Sequence, residues 1–498
     1  MTHTEEVTEI LSSTTLESPA STEFLQMGPY IATKTPNGLV EGPISALPEE
    51  IILLILDMLV QEDIAAHEDP PRVSGDTIST VRTASQVSRF WRFITLQNTV
   101  WWSHIHVFPP WRPHAVAAAL ARSKDCPIDL YISVQLVEDT TGDADDPSPS
   151  KLDGYEDLFR ILHPHIPRCR TLHIQGVFRQ KPNLLTYLIE PLLNMDMPYL
   201  TSLIFDGEAS FEDTEYSKGR TQLFASAPRL LDVRLGGIGV MQYSPPLSAL
   251  TTLHLSRAMN LTNLSFHALG EILTSCPCLT FFAVYDDLLN HWPGRSAAIE
   301  LPRLEALYIL GNMLSVSELL LYLTAPELRE LVIAPVVGSD LTVLHAEMHT
   351  EQARFPNLRS LTLAPAHPDA FNDALPVASV CFPHIETLIL ANLYPPEFET
   401  LFLNHSRVLF PQLKDLALTG VEKVVARLMP EVARFRASKK APLRNVFVDG
   451  ESLGKLTGPP EIWGDVKVKK GDLWEAQRRK GLYSNIKDLF VGRPLDEH

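Results

Sequence analysis

The sequence predicts an α/β chain in which a small all-helical N-terminal domain precedes a long solenoid of short strand-and-helix units. Three observations carry this. A phrase of the form Pro-x-Leu-x-x-Leu-x-Leu recurs between Pro198 and Pro411. Stretches with helical apolar spacing lie between most of its copies, and a compact apolar segment opening at Ile44 stands apart from them.

The copies read PYLTSLIF from Pro198, PRLLDVRL from Pro228, PCLTFFAV from Pro277, PRLEALYI from Pro302, PELRELVI from Pro326, PNLRSLTL from Pro356, PHIETLIL from Pro383 and PQLKDLAL from Pro411. Weaker copies are PRCRTLHI from Pro167, SALTTLHL from Ser248 and APLRNVFV from Ala441. Ten intervals span 274 residues, a mean period of about 27, inside the roughly 20–29 of leucine-rich repeats. Residues 167–449 are therefore expected to form a leucine-rich-repeat solenoid, or horseshoe, of about eleven repeats.

Within a unit, the leucines at the sixth and eighth positions share one face of a short strand, and the residues between and after them point the other way. One face is thus expected to be buried and the other offered to solvent. The stretches LLTYLIEPLL from Leu184, FHALGEILTSC from Phe266 and SELLLYLTAP from Ser317 have apolar spacing near 3.6 and read as helices. The next Pro ends each helix and biases the residue ahead of it toward extended geometry.

Residues 1–43 are rich in Ser, Thr, Glu, Gly and Pro and are expected to be a disordered tail. Residues 44–107 form the helical domain. ISALPEEIILLILDMLV opens with Ser45 as N-cap and Pro48, Glu49 and Glu50 in the first turns of an apolar helix. TVRTASQVSRFWRFITLQ reads as one second helix, with Val81, Ala84, Val87, Phe90, Trp91 and Ile94 at three- and four-residue spacings. NTVWWSHIHVF then ends in a strand-like alternation.

Residues 108–166 hold a helix-strand candidate, HAVAAALARSKDCPIDLYISV, and an acidic loop, EDTTGDADDPSPS. They are expected to cap the apolar end of the array. Residues 450–498 carry Trp463, Trp474, Leu482, Ile486 and Phe490 and are expected to be a C-terminal cap or tail, since so much apolar surface is rarely left in water.

The net charge of −18 argues against a nucleic-acid partner, because phosphate binding needs clustered Lys and Arg. The basic patch Lys467, Lys469, Lys470, Arg478, Arg479 and Lys480 reads as solvated surface. No segment approaches the ~20 apolar residues that span a bilayer, and the densest run, IILLILDMLV, is interrupted by Asp57. The acidic, Ser/Thr-rich N-terminus is unlike a signal or transit peptide, so a cytoplasmic or nuclear location is expected, without a membrane partner.

Five cysteines, Cys126, Cys169, Cys276, Cys278 and Cys381, are odd in number and dispersed, unlike a disulfide framework. The sequons at Asn260, Asn263 and Asn404 would matter only in a secreted chain. Cys276 and Cys278 have no second pair at zinc-ribbon spacing, and His163 and His165 stand without a ligand constellation. His345 and His349 could share a helix face and hold zinc in a metal-dependent hydrolase. Glu347, however, is one position from where the zincin pattern puts its base. No nucleophile elbow, phosphate loop or dinucleotide fingerprint is present, so no catalytic residue, metal or cofactor is assigned.

The strand row expected to face solvent runs His173, Ile204, Arg234, His254, Ala283, Tyr308, Val332, Thr362, Ile389, Ala417 and Phe447. Arg234, His254 and Tyr308, with the neighbouring Phe281 and Tyr285, are the candidate substrate face, because aromatic and Arg side chains dominate binding energy.

LPEEI at Leu47 to Ile51, SQVSRFWRFI at Ser85 to Ile94 and NTVWWSHI at Asn98 to Ile105 resemble, in order, the three blocks of the F-box domain in its fungal F-box-like form. The chain departs from that pattern in the acidic insert Gln61 to Thr77 and in Ser88, where Cys is frequent. The resemblance implies three short helices that dock the Skp-type adaptor of a cullin-RING ubiquitin ligase. Leu47, Pro48, Glu50 and Ile51 would start the docking helix, Val87, Trp91 and Arg92 would lie in the second block, and Trp102 in the third. The function so implied is a non-catalytic substrate adaptor whose repeats hold an unknown protein substrate. A repeat scaffold without ligase function is the alternative.

Overall fold

The computed structural model describes residues 47–471 apart from 68–78, 135–154, 178–181, 209–219, 257–263, 286–287, 290–297, 312–315, 338, 340, 349–354, 368, 392–394, 404–406, 455–462 and 464. The chain divides into two compact units, residues 1–52 and 53–498. Of the first, the described part is the Leu47–Ile52 segment, where the Pro48 carbonyl accepts from the amides of Ile51 and Ile52 at 3.1 and 3.2 Å. This turn starts helix α1, Glu49–His67, whose Glu49 and Glu50 suit the positive end of its dipole. Ser45, read as its N-cap, lies outside the described residues.

The second unit is mixed α/β, built on one open, parallel sheet of 14 strands that neighbour each other in chain order. They are β1 His104–Val107, β2 Ile128–Val134, β3 Cys169–Val177, β4 Ser202–Glu208, β5 Asp232–Gly237, β6 Thr252–Ser256 and β7 Phe281–Tyr285. There follow β8 Ala306–Leu310, β9 Glu330–Val336, β10 Ser360–Pro365, β11 Thr387–Ala391, β12 Asp415–Thr419, β13 Asn445–Val448 and β14 Lys467–Lys470. Each of the eleven recurrent phrases ends in one of the strands β3 to β13.

The phrase works as its letters suggest on one face. Its three leucine positions are buried throughout, as in Leu200, Leu203 and Phe205, or Leu358, Leu361 and Leu363. Each unit leaves those side chains half-covered until the next unit stacks on it. The turn before each strand is fastened to its neighbour by a relay of main-chain bonds: Arg170 O accepts from Thr201 N, Thr201 O from Leu231 N, Leu231 O from Thr251 N, and Thr251 O from Thr280 N. It continues through Glu305, Arg329, Arg359, Glu386, Lys414 and Arg444 to Lys467 at 2.7–3.0 Å. Such a relay satisfies turn groups that would otherwise be orphaned.

The expected helices are present at Pro182–Ile189, Phe266–Thr274 and Val316–Tyr322. Ser265 caps the second, its Oγ accepting from Ala268 N at 3.1 Å. After α2, Ser79–Val87, and α3, Arg89–Gln97, the helix-strand candidate of the connecting region is α4, Pro113–Ser123, followed by β2. The sheet extends beyond the array at both ends. β1 lies within the segment assigned to the helical domain, and β14 is formed by residues read as solvated surface, with Lys467 N and Gly471 N donating to Arg444 O and Val448 O at 2.9 Å.

Candidate functional site

Two regions carry the residues singled out in the sequence. The first is the set of N-terminal helices. The stretch read as one second helix is two, α2 Ser79–Val87 and α3 Arg89–Gln97. Ser88 is the reason. Its backbone is extended, φ −154° and ψ 170°, and its Oγ accepts from Trp91 N at 3.2 Å, so it ends one helix and caps the next. Of the insert, Gln61 to His67 continue α1, and residues 68–78 lie outside the described part.

Pro48, Glu50, Ile51, Val87 and Arg92 are exposed, and Leu47 and Trp91 are half-buried. Arg92 donates through Nε to Ser85 O at 2.8 Å. Trp102 is a correction. It is buried, its indole N–H bonds Thr95 O at 2.7 Å, and the Arg122 guanidinium lies 4.3 Å above its ring. It fastens α3 to the following 3-10 turn, Thr99–Trp102, and offers nothing to a docking partner.

The helices leave much apolar surface in water. On α1 the buried residues are the stripe Ile52, Leu56 and Val60, while Leu54, Ile55, Met58 and Leu59 are exposed, Met58 by 66%. Val87, Phe90, Phe93, Leu96 and Val100 are exposed as well. With Ile51 these make up more than half of the exposed large apolar side chains among the described residues. Sequence periodicity missed this, because it marks apolar residues as core whichever way they face.

The second region is the sheet face opposite the leucines. The structure brings the five candidate substrate residues together. Arg234 and His254 are register partners on β5 and β6. His254 Nδ1 is 3.0 Å from the Tyr285 hydroxyl, and the Phe281 ring lies 5.2 Å from His254 and 4.9 Å from Tyr308. Tyr308 donates to Glu330 Oε1 at 2.5 Å.

These residues are not an offered face. His254, Tyr285 and Tyr308 are buried, and Arg234 and Phe281 are half-buried. Tyr285 and Tyr308 belong to a second apolar core with Ala283, Leu310, Val332, Ala334, Ala364 and Ala391. The signal was present in the strand letters: FFAVY, ALYIL and LVIA are continuous apolar runs, which mark strands buried on both faces. Of the predicted row, His173, Ile204 and Arg234 on β3 to β5 are half-buried, as are Ile389 on β11 and Phe447 on β13; beside the first group Tyr131 is half-buried too, and His106 stacks on it at 4.3 Å.

Electrostatics follows burial. Desolvation, then the Arg234 charge, pushes His254 well below its ordinary pKa and His173 down to about 4, so both rings are neutral at pH 7. Burial raises the carboxyl of Asp232, whose Oδ2 accepts from Ser202 Oγ at 3.1 Å. Sequence reading also missed Asp129 on β2. It is buried and takes both Nε and Nη2 of Arg170 on β3, at 3.0 and 2.5 Å.

His345 sits in the helix Thr342–Met348, while His349 lies outside the described residues. Among the described residues no group of three or more His, Cys, Asp and Glu could hold a metal ion. The five cysteines are free, and burial raises the Cys276 thiol to about 12, which suppresses its thiolate. Among the described residues no helix is long and apolar enough to cross a membrane. Neither a family model nor a curated protein matches the chain.

Proposed function

We propose that the chain is the non-catalytic substrate-recognition adaptor of a Skp-cullin-F-box type ubiquitin ligase, acting in the cytoplasm or nucleus. Its N-terminal F-box-like helices dock the Skp-type adaptor, and its leucine-rich repeats hold a protein substrate. The observation that carries this reading is the exposed apolar surface of α1, α2 and α3, where Leu54, Met58, Val87 and Phe93 stand in water. A helix that is apolar all round is normally buried, and an exposed patch of this kind marks an interaction site. The motif blocks and the exposed surface overlap at Ile51, Val87, Phe90, Phe93 and Val100.

The substrate contact is placed away from the buried middle of the sheet face, at β1 to β5, where the rings of His106, Tyr131 and His173 group beside Ile204 and Arg234. The rate gain for ubiquitin transfer would be one of proximity, a bound substrate held at high effective concentration near the charged conjugating enzyme. No residue of this chain need touch the reacting thioester.

The test is co-purification of the full chain with its cognate Skp-type adaptor, beside a variant carrying Pro48→Ala and Ile51→Ala. Stoichiometric capture by the wild type, lost in a folded variant, supports the reading. Absence of capture by the folded wild type removes it.

A further inference from the structure

The open sheet ends on β14, and among the described residues no strand pairs with its outer edge. On the inner side Lys467 N and Gly471 N donate to Arg444 O and Val448 O at 2.9 Å. Successive residues of a paired strand turn their main-chain groups to opposite sides, so the N–H and C=O of Val468 and Lys470 point away from β13. A row of such groups along a sheet edge is a template for a further strand.

The side chains decide which strand fits. Lys467, Lys469 and Lys470 are exposed and Val468 is half-buried. Among the described residues the side chains of Lys467 and Lys470 have no hydrogen-bond or ion-pair partner, and Lys469 Nζ lies 5.4 Å over the Phe447 ring of β13. The acids of the neighbouring units are engaged elsewhere: Glu386 with Lys414 at 2.5 Å, Asp415 with Asn445 Nδ2 at 2.6 Å and Asp449 with Gly420 N at 2.9 Å. Asp465, in the turn ahead of β14, is exposed. The edge is thus locally basic in a chain whose net charge is −18.

Like charges set opposite each other across a strand pair destabilise it, and opposite charges support it. A second copy of β14 would bring Lys against Lys, whereas an acidic strand brings a carboxylate to each ammonium group. In strand addition the main-chain bonds supply affinity and the alternating side chains supply selectivity. We propose that the outer edge of β14 takes up an acidic, extended segment of a partner protein as an added strand. The site does not depend on the ligase reading: β1 and β14 stand at opposite ends of the sheet order, and none of the residues assigned to docking lies on β14.

The experiment is anisotropy titration of the full chain in about 50 mM salt, where screening is weak, with a dye-labelled peptide containing Glu-Val-Glu-Glu and its Lys-Val-Lys-Lys counterpart as probes. Val468→Pro removes an outward N–H while keeping the three lysines and the bonds to β13, so it separates strand addition from mere attraction of charge. The expected result is saturable binding of the Glu peptide alone, weakened about tenfold or more by Val468→Pro and by a Lys469→Gln, Lys470→Gln variant. Thermal unfolding checks that each variant is folded, and the double Gln variant carries the test if Val468→Pro loosens β14. No saturable binding by the wild type would leave the lysines as edge protection and overturn the assignment. Equal binding of the Lys peptide, a folded Val468→Pro that binds as the wild type does, a short single-stranded DNA that outcompetes the Glu peptide, or a wild-type dimer dissolved by Val468→Pro would overturn it as well. Capture of the Skp-type adaptor is read separately and is expected to be unchanged in Val468→Pro.

Discussion

His254 Nδ1 and the Tyr285 hydroxyl lie 3.0 Å apart across β6 and β7, with both side chains buried. Strand alternation assigned these two to the solvent side. Instead they seal a second interior, polar toward Arg234 and apolar toward Val332.

Two histidines of the sheet face, buried His254 and half-buried His173, make stability depend on acid. An unfolded His binds its proton near pH 6.5, whereas the folded sites bind theirs only at lower pH, His173 at about 4. Between about pH 6.5 and 4 the unfolded state holds more protons, so stability is full above that window and falls as pH falls through it. Asp232, with its carboxyl raised, works in the opposite sense. Urea midpoints at pH 7, 5.5 and 4.5 should decline for the wild type and decline less for a His173→Gln, His254→Gln double variant. Equal slopes would argue against the neutral pair.

Tyr308→Ala discriminates an interior face from an offered one. Removing a fully buried aromatic that packs on Phe281 and bonds Glu330 should cost about 3–5 kcal/mol. A solvent-facing row residue would cost roughly 0.5 kcal/mol or less. Chemical denaturation reads the difference.

The strands were legible because three buried positions recur in every unit, and burial on one face is what period-2 reasoning detects. The opposite face was not, since alternation says only that Tyr308 and Leu307 differ in direction. Whether a second layer of apolar contact forms there depends on neighbours such as Ala283 and Val332, which are distant in sequence. The break at Ser88 turns on one cap. β14 escaped notice because KVKK has little apolar pattern and owes its strand to pairing with β13. Of the residues assigned to docking, Pro48, Glu50, Ile51, Val87 and Arg92 are exposed, while Trp102 is core.

Asp57, the acid that interrupts the apolar run of α1, accepts the indole N–H of buried Trp101 at 3.1 Å. Asp57→Ala leaves that donor without its partner and should cost about 1–3 kcal/mol. Faster proteolysis within α1 would accompany the loss. A variant as stable and as resistant as the wild type would exclude this anchoring role.

Arg436 is buried, and burial lowers its pKa to about 10. Its guanidinium donates to Leu409 O and Phe410 O at 2.8 and 2.9 Å, closing the turn that leads into the phrase at Pro411. Arg436→Met keeps much of the volume but strands both carbonyls, and should lower stability by about 1–3 kcal/mol. Thermal unfolding at constant pH measures it.

The most direct test of the ligase reading is titration of the purified chain with its purified Skp-type adaptor, comparing the wild type with a Leu54→Asp, Met58→Asp variant. Both residues are exposed, so the variant should keep the wild-type unfolding transition. The account predicts one-to-one binding by the wild type and a loss of at least about a hundredfold in the variant, as expected when central apolar anchors are removed from an interface. No binding by the folded wild type, or equal binding by both proteins, would contradict it.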